Sequence, residues 1–356
     1  MKFSKLFLVA LTGAVLFVSC NSDDDNTPQV PLGDYDNGFL VLNQGNFGAG
    51  NSNVSYISND FSVQQNNIFT LVNPSMPMGD TGQDIGLNEN LAFIVLNGSN
   101  AIQVVNRYTF QQVATITTGL SNPRYIAFAN GKGYVTNWGN ATNTSDDYVA
   151  VLDLTSYAVT ATIPVVEGPE RIIESNNNLY VAHQGGYGYG NSVSVISAAS
   201  NTVTSSIPVH DVPNSLEIEN GVLYVLCGGK PSWTNDETQG ALYQISLTGS
   251  AVSSYTFAAG SHPSNLVLED DKIYYTVNSD IFVKTANAAL PTAPLFSTTS
   301  QGVYGVYSFA VENDKIYVGD ALDYNSNGKV YIYSLTGTLQ NEYTVGVIPA
   351  GFYFND

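Results

Sequence analysis

From residue 36 to 356, apolar and polar positions alternate with a period of two over short runs, and Gly, Asn, Asp and Pro separate the runs. The segments VAVLDLTSYAVTATIPV (149–165) and SVSVISAASNTVTSSIPV (192–209) show this best, each reading as two strands around a turn. A period of two sends successive side chains to opposite faces, so the pattern predicts sheets with a buried and a more polar face. The run from Leu6 to Val18 is different, being continuously apolar behind Lys2 and Lys5.

The strands repeat. NPRYIAFANGKGYVTN, GPERIIESNNNLYVAH, VPNSLEIENGVLYVLC and HPSNLVLEDDKIYYTV begin at Asn122, Gly168, Val212 and His262. In each, a proline precedes the strand tyrosine by eleven positions: Pro123 to Tyr134, Pro169 to Tyr180, Pro213 to Tyr224 and Pro263 to Tyr274. Weaker copies carry Phe93 and Tyr317, and FLVLNQG supplies Phe39. The seven aromatics are 54, 41, 46, 44, 50 and 43 residues apart, the length of a propeller blade. Each copy continues into two more strands. The pattern therefore predicts an all-β fold, a seven-bladed β-propeller of four-stranded antiparallel blades spanning residues 36–356. IPAGFYFND, at the C-terminal end, matches a first strand lacking its continuation. Residues 349–354 are expected to pair into the first blade and close the ring, which removes an exposed edge.

Composition agrees: 23 Tyr, 16 Phe and 32 Gly with 12% charged residues favour strands and turns over amphipathic helices. The net charge of −19 opposes phosphate backbones and anionic headgroups, so nucleic acid is not an expected partner. Residues 1–19 have the layout of a secretory signal, and LFVSC resembles the bacterial lipobox. That likeness implies a lipid anchor on Cys20, the membrane being met through the anchor alone, with an ordinary cleaved signal as the other reading. Loss of Lys2 and Lys5 would take the net charge to −21. Residues 20–35 read as a flexible tether. Asp23, Asp24 and Asp25 resemble an export signal for the outer face of the outer membrane, or serve as a solvated spacer. With Cys20 acylated, Cys227 is the remaining thiol and has no partner for a disulfide.

Catalytic motifs are scarce, and neither an enzyme nor a bound cofactor is expected. His183, His210 and His262 lack zinc-site spacing, and no phosphate loop, nucleophile elbow or dinucleotide fingerprint is present. His183 and Asn137 stand at equivalent strand ends, where a structural role competes with a ligand contact. Asp323, Asn325 and Asn327 have the alternating oxygens of a calcium loop but no downstream Glu; the other reading is a hairpin turn at Asn327-Gly328.

The loop after the second strand of a blade is long in blades one, three, four, five and seven. Those loops share a face with the starts of the innermost strands, around the central channel. They are expected to bring Phe47, Trp138, Tyr187, Tyr189, Trp233 and Tyr324 to that face, with Asp80, Gln83, Arg124, Glu170, Asn214 and Asn265 from the strand starts. Aromatic, amide and glycine-rich loops suit a binding face.

YVTNWG (134–139) with the strands that follow resembles the repeat of YVTN-type seven-bladed propellers. LVLNQGNFGAGNSNVSYIS, MGDTGQDIGL, PNSLEIENGVLYVLCGG, VYVGDALDYNSNGKVYIY and GVIPAGFYF widen the likeness to the surface lipoproteins that capture cobalamin, the BtuG-like family. The resemblance implies non-covalent binding of cobalamin or another corrinoid on the loop face. It also implies an outer-membrane location facing the cell exterior, and handover to a TonB-dependent outer-membrane transporter. A non-catalytic glycan- or protein-binding propeller is the alternative. A quinone-cofactor dehydrogenase, the third class, would need a basic carboxylate beside the cofactor, and none can be singled out.

Overall fold

The computed structural model describes residues 31–140 and 142–355. The expected signal peptide, Cys20 and the tether up to residue 30 lie outside the described residues.

Seven four-stranded antiparallel sheets follow one another along the chain. Blade 3 is representative: Pro123–Ala129, Lys132–Asn137, Tyr148–Asp153 and Ala158–Pro164 run from innermost to outermost. The innermost hairpins turn on Asn130-Gly131, Asn176-Asn177, Asn220-Gly221, Asp270-Asp271 and Asn313-Asp314, with φ positive at both residues of each pair. Such two-residue turns match the right-handed twist of the strands they join, and Asn, Asp and Gly tolerate that backbone best.

The blades are held by apolar clusters that cross from one sheet to the next. Tyr134 and Val149 of blade 3 pack with Ile172, Val181 and Ile196 of blade 4. Tyr180 and Val193 of blade 4 pack in turn with Leu216 and Val225 of blade 5. Tyr134 is fully buried, and its hydroxyl reaches the Ala198 carbonyl at 3.2 Å and Asn201 Oδ1 at 2.9 Å. This explains why the repeat places an aromatic there: the ring fills the inter-blade gap, and the polar tip satisfies the neighbour's turn.

Pro349–Phe354 is the innermost strand of blade 1, with Leu40 opposite Tyr353 and Val41 opposite Phe352. The ring closes as expected. Phe39, Tyr317 and Phe354 form the seam, with centroids 5.1 Å apart for Phe39–Tyr317 and 5.2 Å for Tyr317–Phe354. Asn355, fully buried, donates to the carbonyls of Tyr35 and Arg107 at 2.5 and 2.8 Å. Tyr35 corrects the sequence boundary. Expected in the tether, it is buried with its ring edge-on to Tyr56 and Phe110, because its backbone N–H bonds the Tyr108 carbonyl and carries the ring into the core. Blades 1 and 6 have outermost strands of only two residues, Gln64–Gln65 and Phe296–Ser297.

Candidate functional site

Six innermost strands break register near their first residues, that of blade 1 at Ala350. Pro123 opposes Asn137 but Ile126 opposes Val135, Pro169 opposes His183 but Ile172 opposes Val181, and similar shifts fall at 83, 214 and 265–266. A bulge leaves residues out of the ladder and re-aims their side chains. The bulged positions hold Gln83, Arg124, Glu170, Asn214 and Asn265, five of the residues expected at the strand starts.

Four of these five line one cavity of about 350 Å³ at the loop end of the channel: Gln83, Arg124, Glu170 and Asn265. Arg124 grips Glu170 through two hydrogen bonds of 2.9 and 2.7 Å. Gln83 donates to the Tyr125 hydroxyl at 2.9 Å, and Asn265 to Thr276 Oγ1 at 3.0 Å. Asn214 is not part of this wall; its amide bonds the Pro263 carbonyl at 2.9 Å and ties blade 5 to the connector before blade 6. Asp80 also holds loops together, accepting the Gly48 N–H at 2.7 Å.

Sequence reasoning missed Gln44, Tyr125, Arg171, Tyr307 and Tyr353, which complete the cavity wall. Tyr125 and Arg171 are the second residues of their bulges, so a strict alternation assigns them away from the channel. Arg171 lies over the Tyr125 ring at 4.2 Å. Both also line a second cavity of about 460 Å³ farther down the channel, as do Phe309 and Phe352, so these side chains form the waist between the two. Asp84 braces the waist, accepting from Ile126 N–H at 3.0 Å and the Tyr353 hydroxyl at 3.1 Å. Below it, burial among the inner strands pushes the Glu217 carboxyl up to about 7, offset in part by Arg171.

The long loops present their aromatics to solvent. Phe47, Tyr187 and Trp233 are each about four-fifths exposed, and Tyr189 and Tyr324 are also exposed. Tyr304, in the connector between blades 6 and 7, joins them at 95% exposure. It is not in a loop after a second strand, where the sequence places the other exposed aromatics. Tyr307 stands edge-on to Tyr324 at 5.8 Å, linking the exposed ring to the cavity wall.

Trp138 is half-buried, not a free surface ring. Its indole N–H bonds the Pro169 carbonyl at 3.1 Å, the Arg124 guanidinium sits 4.1 Å from its ring centroid, and Tyr187 packs edge-on at 6.1 Å. Glu170, Arg124, Trp138 and Tyr187 thus form one chain from the cavity to the exposed face. Asn137 and His183, for which the sequence leaves a structural role and a ligand contact open, are both buried beneath the face. Asn137 bonds the Val135 carbonyl and the Ser121 N–H; His183 Nε2 bonds Ser194 Oγ at 2.8 Å. Burial pushes His183 down to about 4, so it is neutral at pH 7. Asn137 fastens its strand end to the connector at Ser121, and His183 ties its strand to the neighbouring one through Ser194.

Asp323 spends its carboxylate on its own turn, accepting from the N–H groups of Asn325 and Ser326 and from Ser326 Oγ. Asn327 begins the strand Asn327–Ser334. The segment is a hydrogen-bonded turn leading into a strand, and no group of three or more metal-ligating side chains occurs among the described residues.

Fold and site together define a seven-bladed β-propeller with a polar, tyrosine-walled cavity beneath an aromatic loop face. The chain belongs to the family described as Domain of unknown function (DUF5074), whose model matches residues 37–354. No curated protein matches it. Among solved structures it is similar to a quinoprotein alcohol dehydrogenase-like protein of Bacteroides thetaiotaomicron, with a TM-score of 0.65, 13% identity and coverage of 90% of this chain and 79% of that one. A functionally unknown protein of Desulfotomaculum acetoxidans gives a TM-score of 0.63 at 10% identity, over 90% of this chain and 100% of that one. Virginiamycin B lyase of Staphylococcus aureus gives 0.57 at 11%, over 76% and 87%. Identities this low carry the fold alone.

Proposed function

We propose that the protein is a lipid-anchored surface receptor that binds cobalamin or a related corrinoid on its loop face and passes it to a TonB-dependent outer-membrane transporter. The observation that carries the reading is the set of six exposed aromatics, Phe47, Tyr187, Tyr189, Trp233, Tyr304 and Tyr324, on the face that opens into the polar cavity. A corrin is broad, apolar on its faces and fringed with amides. Exposed rings supply stacking area for such a ligand, and Gln44, Gln83 and Asn265 supply amide partners for its fringe. Glycine-rich loops beside the rings allow the face to adapt to a large ligand.

Capture involves no covalent step, so release requires only that the transporter compete for or reshape the face. Anchoring through Cys20 and the acidic segment after it would hold the propeller outside the cell, next to such a transporter. The first experiment is elution of the protein with cyanocobalamin from a sizing column. Co-elution of the red colour with the protein is expected. Colour eluting only at the small-molecule volume, together with binding to an oligosaccharide panel, would replace this reading with a glycan-binding one.

A further inference from the structure

Blade 6 departs from the repeat in a way the loop face does not use. The residue after the strand aromatic is aliphatic in the other six blades: Leu40, Ile94, Val135, Val181, Val225 and Val318. In blade 6 it is Tyr275. Tyr275 pairs in register with Phe282, their rings stacked at 5.3 Å and nearly parallel, and Phe257 from the preceding connector stands edge-on at 5.2 Å.

The same blade has lost most of its outer strand. Phe296–Ser297 covers only Asp280 and Ile281, leaving residues 282–285 of the third strand without a strand partner on that side. Blade 1 is equally short, but there the helix Ile68–Val72 buries Ile68 and Phe69. Blade 6 instead keeps a cavity of about 430 Å³, walled by Phe257, Tyr275, Val277, Phe282, Leu290 and Pro291. No charged side chain lines it.

Tyr275 is 1% exposed, and its hydroxyl has no hydrogen-bond partner among the described residues. That hydroxyl is not among the fully enclosed polar atoms left without a partner, so it keeps contact with the cavity space, where a guest can reach it. Thr256, Ser261 and Thr292 also line the cavity, so it joins aromatic surface to hydroxyl groups and suits a flat aromatic guest that carries an acceptor. We propose that this cavity binds a small, uncharged, flat aromatic molecule, packed against Phe257 and Phe282 and accepting a hydrogen bond from Tyr275. The site is separate from the loop face and does not rest on the corrinoid reading.

The test uses two probes, quinoline with a ring-nitrogen acceptor and naphthalene without one, titrated into the purified protein while the methyl resonances of Val277 and Leu290 are followed. Both probes are expected to shift these methyls, with quinoline binding about tenfold more tightly. Tyr275→Phe should remove that preference and leave naphthalene binding unchanged. Ala258→Trp, placed at the exposed rim, should abolish both while cyanocobalamin titration is unaffected. Unshifted methyls at the solubility limits of both probes would overturn the proposal, as would shifts that persist in a folded Ala258→Trp protein. Should that variant not fold, equal quinoline affinity in wild type and the nearly isosteric Tyr275→Phe would overturn it instead.

Discussion

Arg124 and Glu170 meet in a fork-to-fork ion pair, Nε to Oε2 at 2.9 Å and Nη2 to Oε1 at 2.7 Å, although they start the innermost strands of neighbouring blades. Each occupies the bulge just after its blade's proline. The pair therefore ties blade 3 to blade 4 at the cavity wall, and it sets the guanidinium under Trp138.

With the Glu170 side chain only 6% exposed, removing one partner leaves a largely buried charge uncompensated. Glu170→Ala is expected to cost about 3 kcal/mol in urea unfolding. It should also change Trp138 fluorescence, because Arg124 loses the contact that holds it under the indole. Unchanged stability and emission would show that the pair does not brace the wall.

Stability should fall as pH rises from about 4.5 to about 7. Burial raises the Glu217 carboxyl to about 7 and that of Asp147 to about 6, above their unfolded values, so the folded state binds more protons across this window. The benefit is complete below the unfolded values and is lost as pH passes the folded ones. Glu217→Gln is expected to flatten the slope and to stabilise the protein at pH 8 by roughly 2 kcal/mol in denaturant titrations. A slope identical to wild type would show that the channel does not raise the Glu217 carboxyl.

His183 has the opposite sign. Its folded value is depressed to about 4, so the stability it contributes is present above about 6.5 and is lost as pH falls through 4. Its imidazole proton resonances should stay in the neutral position at pH 5.5. An ordinary titration near 6.5 would place the ring in solvent, contrary to its 1% exposure.

The C-terminal strand is the closure of the ring. Deleting residues 349–356 would uncover the inner edge of Gly38–Asn43 together with Phe39 and Tyr317. Loss of a single cooperative melt and the onset of self-association are expected, read by calorimetry and light scattering. The milder Asn355→Ala, which removes the side-chain hydrogen bonds to the carbonyls of Tyr35 and Arg107, should cost about 2 kcal/mol.

Much of this architecture is legible in the sequence because a repeat presents the same physical problem seven times. The eleven-residue spacing from proline to tyrosine marks the innermost hairpin, and the clasp is visible as a first strand without a second. The cavity wall was read only in part. Arg124 and Glu170 stand out as polar residues at strand starts, but Tyr125 and Arg171 face the channel because bulges interrupt the alternation, and a bulge has no signature in a single strand. Asn137 and His183 look like surface candidates from their place at strand ends. Their burial depends on loops that fold back over them, which spacing along the chain does not reveal.

The exposed rings lead to the final expectation. Tyr187→Ala with Trp233→Ala should weaken ligand binding by tenfold or more with little change in stability, since both side chains are almost wholly in solvent. Trp138→Ala should lower stability as well, through its contacts with Arg124 and Pro169.

Calorimetric titration of the purified protein with cyanocobalamin tests the central claim most directly. Saturable binding at one ligand per chain, weakened by the Tyr187 and Trp233 substitutions, is the expected result. The absence of any binding heat at micromolar concentrations, in a protein that melts cooperatively, would contradict it.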